Sequence, residues 1–141
     1  MNVNLQKAKN SLIKNGYTCV LSDGTKEYSS TLRGVKPLID FLESGINFKG
    51  FVAADKTVGA GAAYLYVLLK VESVFARVIS EAGERVLKQN GITVFYETKV
   101  PYIINRAGNG ACPIETAVKD ATSPENALAI IKQTLQELNS K

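Results

Sequence analysis

Residues 49–69, KGFVAADKTVGAGAAYLYVLL, predict a strand, a turn and a helix in quick succession. The largely apolar residues 49–54 indicate a buried strand, and the polar residues 55–57 indicate the turn after it. Apolar residues then cover nearly the whole circumference of a helix over residues 58–69, which is typical of a helix covered on most sides. This stretch therefore belongs either to the core or to a contact between subunits.

The same alternation continues downstream. Residues 71–80 are β-branched and aromatic enough for a strand, residues 81–91 predict a polar-faced helix that ends at a glycine, and residues 92–100 alternate as another strand. Strands that alternate with helices in this way favour a layered α/β sheet with parallel neighbours.

Three further elements precede this region. Residues 5–14 predict a helix that Asn15-Gly16 ends. Asp23-Gly24 lies between two alternating segments and favours a type I′ turn, hence a β-hairpin. A short second helix follows, with Pro37 in its first turn and Gly45 at its end.

Two helices are predicted after the last strand. The first runs from Cys112 to about Asp120. The second has Ser123 as N-cap and Pro124 as its first residue. Its predicted inward side chains are Ala127, Leu128, Ile131, Leu135 and Leu138.

Length and composition predict one domain, residues 1–141, since the chain is 45% hydrophobic and 21% charged. No apolar segment follows Lys7 and Lys9, so neither a signal nor a transit peptide is expected. The longest uncharged run, residues 57–69, is too short to span a membrane. We therefore expect a cytoplasmic protein with reduced cysteines. The net charge of +4 is dispersed, which disfavours nucleic-acid binding.

Three motifs carry a resemblance to a known fold: FVAADKTVGAGAA at 51–63, VPYIINRAGNG at 100–110 and CPIE at 112–115. With the order of elements, they make the chain similar to the cytidine-deaminase fold. More narrowly, the chain resembles a small bacterial family of uncharacterised proteins that carry this fold without its metal site. The resemblance implies a three-layer α/β/α sandwich with a mixed sheet and extra C-terminal helices.

The deaminase metal motifs are missing from the places that the resemblance assigns to them. Gly34, Val35 and Lys36 stand where the family has its His (or Cys)-x-Glu, and residues 55–61 stand where it has Pro-Cys-x-x-Cys. A catalytic zinc ion needs three protein ligands, typically His or Cys. The chain has no histidine and only two distant cysteines, so we expect no metal, no cofactor and no zinc-dependent deamination.

Positive residues and glycines occupy these places instead, which favours an anionic ligand at the two helix starts. Arginine can grip a phosphate or carboxylate with two hydrogen bonds. The predicted ligand-binding residues are Arg33, Lys36, Lys56, Gly59, Gly61, Asn105 and Arg106. The alternative is that both glycines serve close packing of the helix on the sheet and that the lysines are only solvated.

Asp55, Cys112 and Glu115 are the candidate catalytic residues. Asp55 could cap a helix or bind a ligand hydroxyl. Cys112 falls at an N-cap, and Glu115 is placed to reach back to the backbone N–H of that cap. A Cys-His nucleophile is impossible without histidine, but a redox role for Cys112 stays open. Cys19 is predicted to be a small buried hydrophobe.

The sequence thus predicts a metal-independent protein that binds a small phosphorylated or nucleotide-like anion, and it leaves open whether the protein is an enzyme. The alternative, from a different class, is a non-catalytic assembly or regulatory module that forms a homodimer through the helix at 58–69. A third reading is nucleic-acid binding through the dispersed positive charge.

Overall fold

A five-stranded mixed sheet organises the fold in the computed structural model, which describes residues 1–140. The strands are β1 (Cys19–Ser22), β2 (Glu27–Ser30), β3 (Val52–Val58), β4 (Ser73–Ser80) and β5 (Thr93–Val100), in the order β2-β1-β3-β4-β5. β1 pairs antiparallel with β2 and with β3, whereas β3, β4 and β5 are parallel. The predicted parallel neighbours are therefore confirmed.

Helices cover the two faces of the sheet unequally. They are α1 (Val3–Asn15), α2 (Lys36–Glu43), α3 (Ala60–Leu69), α4 (Glu81–Gln89), α5 (Pro113–Ala117) and α6 (Pro124–Asn139). α1 packs alone against one face, where Leu5, Ala8 and Leu12 meet Val52 and Phe75. The other five helices contribute to the larger core on the opposite face.

The all-apolar helix α3 is the centre of the larger core. Its residues Leu65, Tyr66 and Leu69 are buried, and α2, α4, α5 and α6 of the same chain pack around it. The core interpretation of this stretch therefore holds. Because neighbours in the same chain cover the helix, its apolar character gives no support to a homodimer contact there.

The termini of the outer helices agree with the sequence prediction. Gly16 adopts a left-handed conformation and ends α1, and the Ser123 side chain accepts the Asn126 N–H at the start of α6. On α6, Ala127 and Ile131 are buried while Leu128 and Leu135 are partly buried. Leu138 is exposed because it lies in the last turn, beyond the core, so its predicted inward position is wrong.

The predicted turn at residues 55–57 is wrong, because these residues belong to β3. Asp55 and Thr57 pair with Ala76 and Val78 of β4, and the Lys56 N–H donates to the Thr18 carbonyl on the other side. Pairing on both sides outweighs the low strand propensity of Asp and Lys. The helix start consequently moves to Ala60, with Gly59 as its N-cap.

Two smaller predictions also fail. The hairpin forms, but among residues 1–140 only glycines and Lys70 have positive φ, so Asp23 cannot adopt a type I′ turn. The Asp23 carboxylate instead accepts the Thr25 and Lys26 N–H groups within a four-residue loop. α5 ends at Ala117 rather than near Asp120, because Val118 leaves helical geometry.

Gly83 fixes how closely α4 approaches the junction of β3 and α3. A Cβ at Gly83 would lie 2.8 Å from the Val58 carbonyl oxygen, which is backbone and cannot move away alone. In an ordinary helix Gly→Ala stabilises by about 0.5–1 kcal/mol. We expect Gly83→Ala instead to destabilise by about 2 kcal/mol through overpacking, measured by urea denaturation. Gln89→Ala on the same helix is the control, and a Gly83→Ala variant as stable as wild type would contradict this packing.

Candidate functional site

Two loops that are distant in sequence meet near Arg33 and Arg106. An Arg106 guanidinium nitrogen lies 3.8 Å from the position that a Cβ at Gly34 would occupy. Gly34 has a φ of +69°, which favours glycine and leaves the backbone open to a close neighbour. Both arginines are exposed, and neither forms an ion pair with another residue in 1–140.

Asn105 organises the loop that carries Arg106. Its side-chain oxygen accepts the Asn109 N–H at 3.2 Å, and its backbone N–H donates to the Gly110 carbonyl at 2.8 Å. A bridge between Ile104 and Ala111 closes the loop. The loop is therefore held by its own hydrogen bonds, and the Arg106 guanidinium extends from it to Gly34.

The two predicted lysines lie on different elements, α2 and β3. Lys36 donates to Asp40 at 2.8 Å on the surface of α2, and this bond raises the pKa of the lysine. Lys56 is exposed on β3, where its N–H donates to the Thr18 carbonyl, and its side chain forms no ion pair within residues 1–140.

The N-terminus of α3, where the anion was predicted, already holds a carboxylate of the chain itself. Glu115 Oε2 accepts the Ala60 N–H at 2.7 Å and the Ser80 hydroxyl at 2.5 Å, while Oε1 accepts the Ile103 N–H at 2.8 Å. The prediction that Glu115 reaches back to its own N-cap is therefore wrong. Its partners lie instead on three other segments, because α5 packs its side chain into the α3 start.

Gly59 and Gly61 make room for this arrangement. A Cβ at Gly59 would lie 2.8 Å from Glu115 Oε2, and a Cβ at Gly61 would lie 2.5 Å from Ile114 Cγ2. Both positions need glycine because α5 sits directly against the first turn of α3. Close packing therefore accounts for these two glycines without a ligand, but their neighbours lie mainly on α5 and not on the sheet, as the sequence alternative had it.

Asp55 forms a buried polar cluster with Tyr66 and Cys19. The Tyr66 hydroxyl donates to Asp55 Oδ2 at 2.6 Å, and the Thr57 N–H donates to Oδ1 at 3.1 Å. Cys19 Sγ lies 3.3 Å from the same hydroxyl. Burial is the largest effect on the carboxyl and raises the pKa of Asp55 to about 7.

One of the roles predicted for Asp55, that of a helix cap, is wrong, because Asp55 lies within β3. Cys19 is buried as predicted, and burial raises its pKa well above the usual range. Its contacts are nevertheless not all apolar, because its Sγ contacts the Tyr66 hydroxyl.

Cys112 is the N-cap of α5, as predicted, with extended backbone geometry before Pro113. Its side chain makes no capping hydrogen bond and packs, partly buried, against the larger core. Both cysteines are free thiols. Cys112 thus serves α5 through its backbone, whose carbonyl accepts the Thr116 hydroxyl at 3.1 Å.

No group of side chains that could bind a metal ion is found among the described residues. Within residues 1–140, no three His, Cys, Asp or Glu residues cluster closely enough to hold an ion. Two surface grooves of about 430 and 540 Å³ lie elsewhere, one beside the start of α1 and one between α2 and α6. Neither is lined by Asp55, Cys112 or Arg106.

Tyr66 and Ser80 are the polar residues that sequence reasoning missed. Tyr66 lies inside an apolar run, but a buried tyrosine usually needs a partner for its hydroxyl, which was the available signal. Ser80 directly precedes α4, where it also accepts the Gly83 N–H at 2.9 Å. A serine three residues before Gly83 is a typical N-cap position.

These features define a mixed α/β protein in which a carboxylate of the same chain, that of Glu115, binds the N-terminus of the central helix α3. Residues 7–135 match the family TM1506, described as a domain of unknown function (DUF1893). The chain therefore belongs to the DUF1893 family.

A solved relative supports the architecture. The crystal structure of a DUF1893 family protein, TM1506 from Thermotoga maritima, shares 26% sequence identity with the chain and gives a TM-score of 0.84. The match covers 97% of this chain and 92% of that one. No curated protein matches the chain. No helix within residues 1–140 has the length and apolar character to cross a membrane.

Proposed function

We propose that the chain binds a small anionic ligand, phosphorylated or nucleotide-like, where the loop at Arg33-Gly34 meets the loop at Asn105-Arg106. The observation that supports this is the approach of the Arg106 guanidinium to Gly34, with neither arginine paired to a carboxylate in residues 1–140. Two guanidinium groups without an internal carboxylate partner, carried by loops that approach each other at Gly34, suit a phosphate or carboxylate.

The proposed site contains fewer residues than the sequence analysis predicted. The start of α3 is left out because Glu115 occupies it, and Lys36 is left out because it pairs with Asp40 on α2. Hydrogen bonds to charged groups contribute about 1.5–3 kcal/mol each, and micromolar affinity requires about 8 kcal/mol. Two bidentate arginines approach that value, so the ligand should engage both.

We further propose that the fold is related to the cytidine-deaminase fold but works without its metal. The order of elements supports the relationship, because a helix and a hairpin precede helices and strands in alternation. The residues at the two former motif positions support the absence of metal, since they include neither histidine nor cysteine.

A thermal-shift titration tests the anion site. Pyrophosphate, nucleotides and sugar phosphates should raise the melting temperature of wild type by several degrees near 100-fold excess over Kd, where binding contributes about 2.7 kcal/mol. Arg33→Gln with Arg106→Gln should abolish the shift. The control, Lys7→Gln with Arg85→Gln, removes the same charge from α1 and α4 and should keep it.

Three outcomes would contradict the proposal. These are no stabilisation of wild type by any of the compounds, equal stabilisation of both double variants, and loss of the response in both. The last outcome, together with steeply salt-dependent binding of a single-stranded oligonucleotide, would indicate the dispersed charge instead and favour nucleic-acid binding.

A further inference from the structure

Three asparagines of the chain are followed directly by glycine: Asn15, Asn90 and Asn109. Asparagine is a thermolabile residue, and glycine makes it more so because the missing Cβ lets the glycine nitrogen approach the neighbouring side chain. All three asparagines are exposed. Exposure therefore does not distinguish them, whereas their hydrogen bonds do.

Asn15 and Asn90 lie at the ends of helices, where the backbone is held. In both cases the glycine that follows donates its N–H to a carbonyl of the helix, that of Leu12 in α1 and that of Lys88 in α4. Asn90 Nδ2 also donates to the Val86 carbonyl at 2.8 Å. A hydrogen bond must therefore break before either glycine nitrogen can attack the side chain before it.

Asn109 lies in the loop that carries Arg106 and is less restrained. Within residues 1–140, neither the Gly110 N–H nor Asn109 Nδ2 donates a hydrogen bond. Asn109 Oδ1, in contrast, accepts a hydrogen bond from Asn105 Nδ2 at 3.0 Å. That bond polarises the side-chain carbonyl and stabilises negative charge that develops on its oxygen. The attacking nitrogen and the leaving group are thus free, and the carbon between them is activated.

We propose that Asn109 is a site of spontaneous deamidation. The Gly110 nitrogen gives its proton to the solvent and attacks Asn109 Cγ, so that a new C–N bond forms. The bond between Cγ and Nδ2 breaks, and ammonia leaves with a proton taken from the solvent. Water then opens the cyclic succinimide at either of its carbonyls, which gives aspartate or isoaspartate at position 109. Water is the only co-reactant.

The reaction adds a negative charge to the Arg106 loop. Asn105 and Asn109 are joined by two hydrogen bonds, so the new carboxylate lies in the same short loop as the Arg106 guanidinium. A carboxylate there repels an anionic ligand and lowers its affinity. This consequence rests on the proposed anion site, whereas the deamidation itself does not.

Peptide mass spectrometry compares the three asparagines in one sample. The folded full chain is incubated for days in mildly alkaline buffer and then digested with trypsin. Cleavage after lysine and arginine places the three asparagines in separate peptides, residues 15–26, 89–99 and 107–119. Breaking one ordinary hydrogen bond slows a reaction by about fivefold. Deamidation of the peptide 107–119 should therefore be at least about fivefold faster than that of the other two.

The same incubation in concentrated urea is the control for the fold. The three asparagines then share the same following residue and have no stable hydrogen bonds, so their rates should become similar. Equal rates in the folded protein, faster deamidation of Asn15 or Asn90, or a difference that persists in urea would overturn the proposal.

Gly110→Ala tests the attacking nitrogen. A Cβ at Gly110 would lie 3.6 Å from Asn105 Nδ2, which is an ordinary contact, and Gly110 lacks the positive φ that favours glycine. The variant should therefore fold with an unchanged circular dichroism spectrum. Because the added methyl group hinders the attack, Asn109 should deamidate several-fold more slowly than in wild type. An unchanged rate would contradict attack by this nitrogen.

Asn109→Asp tests the consequence for anion binding. It supplies the charge of one product directly, and Asn10→Asp on α1 makes the same change of charge away from the loop. In a thermal-shift titration with pyrophosphate, Asn109→Asp should bind about threefold more weakly, and the control should bind like wild type. Equal affinity of the two variants would overturn this consequence. A wild type that responds to no anion would overturn the anion site and the consequence together, while the peptide masses alone decide the deamidation.

Discussion

Glu115→Ala should lower the free energy of unfolding by about 3 kcal/mol. The substitution leaves two backbone N–H groups and one hydroxyl without their acceptor, those of Ala60, Ile103 and Ser80. An unsatisfied buried donor costs about 1–3 kcal/mol, and partial exposure of the site reduces the total. Urea denaturation followed by circular dichroism measures the difference.

Glu115→Gln and Glu125→Ala are the matched variants. Glutamine keeps one acceptor oxygen but places an NH₂ group against other donors, so its loss of stability should be smaller than that of alanine. Glu125 lies exposed in the first turn of α6, and its removal should change the free energy of unfolding by less than about 0.5 kcal/mol. A loss below about 1 kcal/mol for Glu115→Ala would show that the carboxylate does not join these segments.

Added acetate tests whether the N-terminus of α3 binds an anion in the Glu115→Ala variant. If the α3 N-terminus favours an anion, Glu115→Ala leaves a small space lined by the same donors. Acetate should then stabilise the variant more than wild type, and chloride at equal ionic strength should not. Equal responses to both salts would indicate that the lost stability comes from packing alone.

Much of the fold was predictable because periodicity reports burial. β4, α4 and β5 occur where the pattern placed them: β4 is buried on both faces, α4 buries Val86 and Leu87, and β5 pairs with β4 although most of its residues are exposed. The boundary at residues 55–57 was not predictable from composition. Asp55 and Lys56 are poor strand residues, and only the pairing of β3 with both neighbours holds them in the sheet.

The candidate site was less predictable because its contacts are long-range. Glu115 was noticed for its position in α5, yet its partners at residues 60, 80 and 103 can be known only when three other segments are placed beside it. The positive residues were visible in the sequence. Which of them meet depends on the approach of the Arg106 loop to Gly34 and on the Asp40 partner of Lys36.

Asp55→Asn should make the protein more stable than wild type at alkaline pH, with no such gain in acid. Burial raises the pKa of Asp55 to about 7 in the folded state, whereas an unfolded aspartate titrates near 3.9. Below both values the carboxyl is protonated in either state and contributes no pH dependence. Between them unfolding releases a proton, so the wild type loses stability as the pH rises, and above about pH 7 the loss is complete.

Asparagine cannot ionise, so this loss is absent from the variant. A pKa difference of about three pH units corresponds to about 4 kcal/mol, and relaxation of the site reduces it. The free energy of unfolding of Asp55→Asn, minus that of wild type, should therefore increase by about 3 kcal/mol from about pH 4 to about pH 8. Urea denaturation across that range measures the change. A constant difference between the two proteins at every pH would contradict the buried carboxyl.

Tyr66→Phe separates the effect of hydrogen bonding on the pKa of Asp55 from the effect of burial. The Tyr66 hydroxyl donates to Asp55 and lowers the pKa of that carboxyl, partly offsetting the effect of burial. Without this bond the carboxyl should titrate at higher pH, so the loss of stability should extend above pH 7. Asp120→Asn, an exposed carboxylate, should leave the profile of wild type unchanged. A Tyr66→Phe profile that also matches wild type would mean that burial alone sets the protonation of Asp55.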